Sequence, residues 1–125
     1  MIDRARTHFE QGDGSDVPLH YTNFDAVLFG NVLCRLPNPQ AALERMQNEH
    51  ALVKPGGVLL VSSPFSWLED YTPKEKWLEN GIEDLQSILT DFDLLHSEDH
   101  PFLFREHSRK YEYVIPLISL WRRKS

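Results

Sequence analysis

One stretch of sequence decides the fold, the turn and apolar run Lys54-Pro55-Gly56-Gly57-Val58-Leu59-Leu60-Val61. Proline cannot continue a helix and glycine accepts a left-handed backbone, so this turn is expected to end a preceding helix. The four apolar residues after it do not alternate with polar ones, which is typical of a parallel strand buried on both faces. The sequence therefore predicts a helix, a turn and a strand over 58–61, closed by Ser62-Ser63-Pro64.

A second strand and the helix itself are expected before this turn. Residues 24–29 form another compact apolar run, which again predicts a strand buried on both faces. This strand is expected to end at Gly30-Asn31. Asn38 is suited to cap a helix that begins at Pro39, where the missing proline N–H costs nothing. The apolar side of this helix is formed by Ala42, Leu43, Met46 and Val53. Because strands alternate with helices, we expect an α/β fold with a mostly parallel sheet.

The remaining segments predict one more helix, three strands and a long loop. Apolar residues at helical spacing predict a helix over 81–91, and a strand over 93–97 is expected after it. Pro116 lacks a ladder donor, so the last strand is placed after it, at 117–123. Residues 7–9 are expected to form a short strand that follows the end of a helix at 1–6. The loop over 65–80 is too long and too aromatic for a simple connection.

Composition limits the classes of function. The 125 residues hold 13 Lys+Arg against 19 Asp+Glu, a net charge of -6, and a single cysteine. A negative balance argues against nucleic acid, which needs a basic surface to neutralise phosphates. No apolar run approaches the roughly 20 residues of a membrane span, and the first residues lack the apolar core of a signal peptide. Cys34 cannot form an internal disulfide, which fits a reducing cytoplasm, and it is expected to be a small buried apolar residue.

Ligands in parallel α/β sheets bind outside the carboxyl ends of the strands. That rule selects Gly12-Asp13-Gly14, Gly30-Asn31, and Ser62-Ser63-Pro64 with its loop. The first of these is not a dinucleotide fingerprint, because Val17 stands at the third glycine position and Pro18 follows where a helix should begin. Asp13 can hydrogen-bond a ribose or an adenine amine, or it can be a turn residue that bonds its own backbone.

Several segments resemble a known family. The segments Gln11-Gly12-Asp13, Phe24-Asp25-Ala26-Val27 and 52–59 resemble the later half of a class I S-adenosylmethionine-dependent methyltransferase. The longer motifs 63–78 and 101–110, together with Leu33-Cys34-Arg35-Leu36-Pro37, resemble the methyltransferase module of ovothiol biosynthesis. That module methylates a ring nitrogen of 4-mercaptohistidine. The resemblance implies a partial Rossmann-like class I methyltransferase fold, with a C-terminal antiparallel strand, and S-adenosyl-L-methionine as co-substrate.

The resemblance also implies roles for individual residues. Asp13 and Asn31 would bind the methyl donor, and Asn31, Tyr71 and His107 would be catalytic. The substrate-binding residues would be Phe65, Trp67, Tyr71, Arg105 and His107. Aromatic loop residues can exclude water and face a cationic sulfonium, and arginine can pair with a substrate carboxylate. Trp77 would belong to the same lid, while Glu69 and Asp70 are further candidates for selecting the imidazole tautomer.

Plainer interpretations stand beside these roles. Trp67 and Trp77 can simply anchor a long loop by packing. Arg105, His107, Arg109 and Lys110 can be a solvated charged turn. His96 and His100, with two acidic neighbours, do not lie on one helical face, so no metal site is predicted.

The expected fold lacks part of the family's donor site. The first two strands and the glycine-rich turn that binds the donor have no counterpart in the sequence. The strand over 24–29 is therefore expected to present an open edge, which could pair with a second copy or with an N-terminal half, while residues 1–23 stay loosely held or pair against it. Two functions follow: a cytoplasmic N-methyltransferase acting on a small molecule such as 4-mercaptohistidine, or a catalytically silent module that acts as an interaction partner.

Overall fold

A four-stranded sheet forms the centre of the fold in the computed structural model, which describes residues 4–125. Numbered in chain order and taken in spatial order, its strands are β1 (Phe24–Gly30), β2 (Val53–Ser63), β6 (Leu117–Arg123) and β3 (Phe92–Asp99). β1 and β2 are parallel, and β6 is antiparallel to both β2 and β3. Three strands thus run one way and the C-terminal strand runs against them, which confirms the predicted fold class.

Two short helices and a hairpin complete the fold. They are α1 (Pro39–Glu44), α2 (Ile82–Ile88), and the antiparallel pair β4 (Phe102–His107) and β5 (Lys110–Val114). Single 3₁₀ turns lie at Arg4–Arg6, Leu33–Arg35 and Lys74–Lys76. Asn38 caps α1 as predicted, because its side-chain oxygen accepts a hydrogen bond of 3.1 Å from the Ala41 N–H.

The core lies between the sheet and the two α-helices. Its largest fully buried side chain is Trp121 on β6, and the indole N–H of Trp121 donates to Ser119 Oγ at 2.8 Å. Leu59 and Val61 on β2 supply the middle of the core. The helices contribute Ala42, Leu43 and Leu85, and Met46 and Leu89 follow their ends. Burying such side chains stabilises the fold by roughly 1.5–3 kcal/mol each relative to leaving them exposed.

The helix that begins at Pro39 is shorter than predicted. It ends at Glu44, and Val53 is the first residue of β2, so the turn at 54–57 lies within a strand. The register of β1 against β2 shifts between Phe24 and Ala26, which marks a bulge opposite this turn. Gly57 is required there, since a Cβ would lie 3.0 Å from the Asp25 carbonyl oxygen.

Long-range hydrogen bonds explain the early end of the helix. The guanidinium of Arg45 donates to the carbonyl oxygens of Val17, Pro18, Tyr21 and His50. These bonds hold Arg45 in a buried position and draw the segments 17–21 and 45–50 together. Apolar spacing carries no signal for such contacts, because they join residues far apart in the chain.

Several further expectations differ from the structure. Residues 7–9 are not a strand, and Phe9 is 88% exposed, while residues 1–3 of the predicted helix end lie outside the described residues. No segment of residues 4–23 pairs against β1. β1 is buried on one face only, because Phe29 is in the core whereas Leu28 is 68% exposed. The helix expected over 81–91 is confined to α2, and the strand expected over 93–97 extends over all of β3.

Candidate functional site

The carboxyl ends of β1 and β2 meet at Asn31 and Ser62. The Asn31 N–H donates to the Ser62 carbonyl oxygen at 2.8 Å, and the Ser62 hydroxyl donates to Asn31 Oδ1 at 3.1 Å. Asn31 adopts a φ of 53°, a left-handed conformation that asparagine tolerates better than most residues. The first bond holds the Asn31 backbone and the second holds its exposed side chain, whose Nδ2 donates no hydrogen bond within residues 4–125. The predicted residue thus lies at the strand end where ligands of this architecture bind.

Asp13 forms a local turn. Its Oδ1 accepts a hydrogen bond of 2.8 Å from the Ser15 N–H, and its carbonyl oxygen accepts one of 3.0 Å from the Asp16 N–H. The neighbouring Gly14 packs closely on Leu36, since an added Cβ would lie 3.2 Å from a Leu36 methyl carbon. This geometry matches the turn interpretation of Asp13, and contact with the donor stays a prediction.

The loop after β2 is anchored to the body of the protein. Thr72 is fully buried, and its hydroxyl donates to the Leu36 carbonyl oxygen. The indole N–H of Trp77 donates to the Thr72 carbonyl oxygen at 2.8 Å. Phe65 and Trp67 pack partly buried against the core. The loop is therefore a fixed wall beside the strand ends, with packing roles for the aromatic residues that were predicted to form a lid.

Tyr71 differs from the other loop aromatics because it is 53% exposed. Its ring centre lies 5.5 Å from the guanidinium carbon of Arg35. Arg35 Nη1 also donates to the Cys34 carbonyl oxygen at 3.0 Å and to the Ser66 carbonyl oxygen. A cation over an aromatic face is stabilised, so Tyr71 and the loop backbone together hold Arg35 in place.

The hairpin of β4 and β5 carries the predicted Arg105 and His107. Arg105 Nε donates to the His107 carbonyl oxygen at 3.2 Å, and His107 Nδ1 accepts from the Arg109 N–H at 3.2 Å. The register places Arg105 opposite Tyr111 and Phe104 opposite Glu112. Because side chains alternate along a strand, Arg105 and Glu112 project from opposite faces of the hairpin. The bonds made by Arg105 and His107 stabilise the hairpin end, and their contact with a substrate stays a prediction.

A cavity of about 460 Å³ opens between the loop and the hairpin. Its walls are Arg35, Pro64, Ser66 and the segment 112–115. Glu112 is partly buried, and a hydrogen bond with Glu106 raises its pKa above the ordinary value. Lys110, 2.8 Å from Glu106, lowers the pKa of Glu106. The cavity therefore has a fixed guanidinium on one wall and a carboxyl group on another.

The structure brings only some of the predicted residues together. Tyr71 is joined to this cavity through Arg35, and Asn31 lies at the strand ends, whereas Arg105 lies on the other face of the hairpin. Arg35 and Glu112 were not predicted as site residues. Arg35 stands in the segment 33–37, which contributed to the family resemblance, but nothing in the sequence distinguished it from a surface arginine.

Other candidate sites are weaker. A groove of about 550 Å³ between α1 and the segment 75–80 is lined by several acidic residues, and in the described part of the chain none of its lining side chains is buried without a hydrogen-bond partner. His96 lies 3.5 Å from Glu98, but residues 4–125 contain no group of three or more potential metal ligands. Within the same residues, no helix is long and apolar enough to cross a bilayer. Cys34 is buried, as expected.

Comparison with known proteins gives one family match and several structures of similar fold. Residues 1–61 match the model of a methyltransferase domain family, Methyltransf_11. No curated protein matches the chain. This match covers just under half of the chain, and the structural likeness described next concerns the fold.

The same fold occurs in solved structures of low sequence identity. The [4+2]-cyclase SpnF is 16% identical with a TM-score of 0.62, over 96% of this chain and 57% of the cyclase. An S-adenosylmethionine-dependent methyltransferase from Methanosarcina mazei is 16% identical with a TM-score of 0.61, over 90% of this chain and 65% of that one. A complex of a Haloferax volcanii methyltransferase with its Trm112 activator gives 14% identity and a TM-score of 0.61, over 98% of this chain and 66% of that one. The chain spans little more than half the length of the first structures it matches.

Proposed function

We propose that this chain, which has the fold of the class I S-adenosylmethionine-dependent methyltransferases, forms the substrate side of an N-methyltransferase for a small molecule. The proposed substrate is 4-mercaptohistidine, methylated at an imidazole nitrogen as in ovothiol biosynthesis. The observation that carries the proposal is the site at the carboxyl ends of β1 and β2, where Asn31 is locked to Ser62 beside an anchored aromatic loop.

Methyl transfer to an imidazole nitrogen depends more on the positioning of the two reactants than on a strong base. Transfer from a sulfonium is an in-line displacement, in which the nucleophile and the methyl carbon are held close and aligned. A neutral imidazole nitrogen already carries the lone pair that attacks the methyl group. Asn31 would bind the donor and lie beside the substrate, and Tyr71 and His107 would orient the imidazole. Phe65 and Trp67 would exclude water by shaping the loop wall.

The methyl donor would be bound jointly with a further segment. S-adenosyl-L-methionine is the proposed co-substrate, with Asp13 and Asn31 as its contacts in this chain. The open side of β1 would receive strands that carry the glycine-rich turn, supplied by another part of the same polypeptide or by another chain. The Haloferax methyltransferase, seen with an activator protein, is a precedent for a protein partner in this fold.

A second proposed function is a catalytically silent interaction module. The exposed Leu28 on the open edge strand β1 favours it, because an unpaired edge strand can pair with another chain. The [4+2]-cyclase shares the fold, so the fold alone does not fix the reaction. Methyl transfer to any small molecule would decide against this alternative.

The first test changes Asn31 while keeping its backbone. Asn31→Gly retains a residue that tolerates positive φ and removes the side chain that Ser62 holds. The matched control is Asn23→Gly, since Asn23 has a φ of 59° just before the other end of β1.

With the proteins purified together with any bound partner, methyl transfer to 4-mercaptohistidine is measured by mass spectrometry. Asn31→Gly should lower kcat/KM by about tenfold or more, the effect of losing one positioned polar contact, and Asn23→Gly should not. Equal activity of both variants, or no product from the unaltered protein, would contradict the proposal.

A further inference from the structure

Arg35 is held by one side of its guanidinium only. Nη1 donates to the carbonyl oxygens of Cys34 and Ser66, and the ring of Tyr71 lies against the group. Within residues 4–125, Nε and Nη2 of Arg35 donate no hydrogen bond. A guanidinium fixed in this way presents donors in a planar array that suits a carboxylate.

Glu112 supplies the opposite charge across the cavity. Glu112 is a half-buried residue of β5, and its neighbour Glu106 is paired with Lys110 at 2.8 Å. Arg35 and Glu112 both line the cavity, yet they form no ion pair with each other in the described residues. The guanidinium and the carboxyl group therefore line the same cavity without a direct ion pair between them.

The size of the cavity fits a small ligand. Its volume of about 460 Å³ lies within the roughly 300–1,000 Å³ of typical small-molecule sites. Pro64, Val114 and Ile115 add apolar surface to the lining. A cavity lined by one cationic and one anionic side chain would select a molecule that carries both charges.

We propose that this cavity binds a small zwitterion, whose carboxylate pairs with Arg35 and whose ammonium group pairs with Glu112. The proposal rests on the proposed function, since it makes the cavity the site that holds the amino-acid part of the substrate. It transfers the role of carboxylate partner from Arg105 to Arg35, because Arg105 projects from the opposite face of the hairpin to Glu112. Tyr71 then acts as a positioning residue for Arg35.

Three ligands that share the imidazole ring and differ in their charged groups test the proposal. L-histidine carries both groups, histamine lacks the carboxylate, and imidazolepropionate lacks the ammonium group. Binding to the full chain is measured by calorimetry without a methyl donor. Histamine and imidazolepropionate should each bind at least about tenfold more weakly than L-histidine, the loss expected for one charge-assisted contact. No binding of L-histidine, or equal binding of the three, would overturn the proposal.

Substitutions at Arg35 and Glu112 test which residue pairs with which charged group of the ligand. Arg35→Met and Glu112→Gln should each weaken L-histidine binding by at least about tenfold, while the exposed Arg109→Met and Glu83→Gln should leave it unchanged. Arg35→Met also should remove the preference for L-histidine over histamine, and Glu112→Gln the preference over imidazolepropionate. If Arg35→Met loses its folded circular dichroism spectrum, Glu112→Gln decides alone. Unchanged binding by Glu112→Gln would overturn the assignment.

The outcomes separate this inference from the proposed function. Charge-selective binding of L-histidine without methyl transfer would support the zwitterion site and contradict the methyltransferase. Methyl transfer that is unaffected by Arg35→Met and Glu112→Gln would support the enzyme and overturn the zwitterion site.

Discussion

At the scale of single residues, the two loop tryptophans show what the sequence could and could not predict. Aromatic side chains in a long loop predicted either a lid or an anchor; their packing matches the anchor, and the lid stays a prediction. Trp77 satisfies its indole N–H with the Thr72 carbonyl oxygen. Trp67 Nε1 is buried without a hydrogen-bond partner in the described part of the chain. That difference depends on contacts several residues away, which residue type does not reveal.

This difference yields a stability prediction. Trp67→Phe removes a donor that is already unpaired, so the free energy of unfolding should stay within about 1 kcal/mol of the unaltered protein. Trp77→Phe breaks a made hydrogen bond and leaves a carbonyl oxygen without it, which should cost about 1–2 kcal/mol. Urea unfolding followed by circular dichroism measures both. An equal loss in the two variants would show that Trp67 Nε1 has a partner after all.

At the scale of elements, local signals located the ends of strands and helices where one residue imposes them. Asn38 and Pro39 start α1, and Pro116 directly precedes β6, as predicted. The end of α1 was missed because Arg45 closes the next turn through carbonyl oxygens far away in sequence. The two strands of the hairpin were not predicted, because the charged residues of this segment were interpreted as a binding motif or a solvated turn.

The open side of β1 gives a prediction at the same scale. Within residues 4–125 this strand pairs with β2 alone, so one row of its backbone groups is free for another strand. We expect the isolated chain to self-associate as its concentration rises, as measured by light scattering after size-exclusion chromatography.

Leu28 should contribute to this association, because its side chain is 68% exposed on β1. Leu28→Lys should weaken self-association without a loss of stability, since a charge on an edge strand opposes pairing. The control is Leu95→Lys on β3, at the other edge of the sheet, where Leu95 is 48% exposed. A monomer at every concentration, or equal effects of the two variants, would contradict a pairing role for β1.

At the scale of the whole molecule, the fold class could be predicted from the sequence, whereas the candidate site could be predicted only in part. Asn31 could be placed at a strand end because buried strands and their terminating glycine are local features. The placement of Arg35 and Glu112 in one cavity could not be predicted from the sequence, because it depends on how the loop after β2 and the hairpin pack together. Opposite charges from distant segments meet only in the folded chain.

The central claim is that this fold presents an imidazole ring nitrogen to a methyl donor, and the position of the transferred methyl group tests it most directly. The protein, with any bound partner, is incubated with 4-mercaptohistidine and S-adenosylmethionine that carries a ¹³C methyl group. Long-range carbon–proton NMR of the product should connect the new methyl group to ring carbons through nitrogen. A methyl group on sulfur, or no labelled product, would contradict the account.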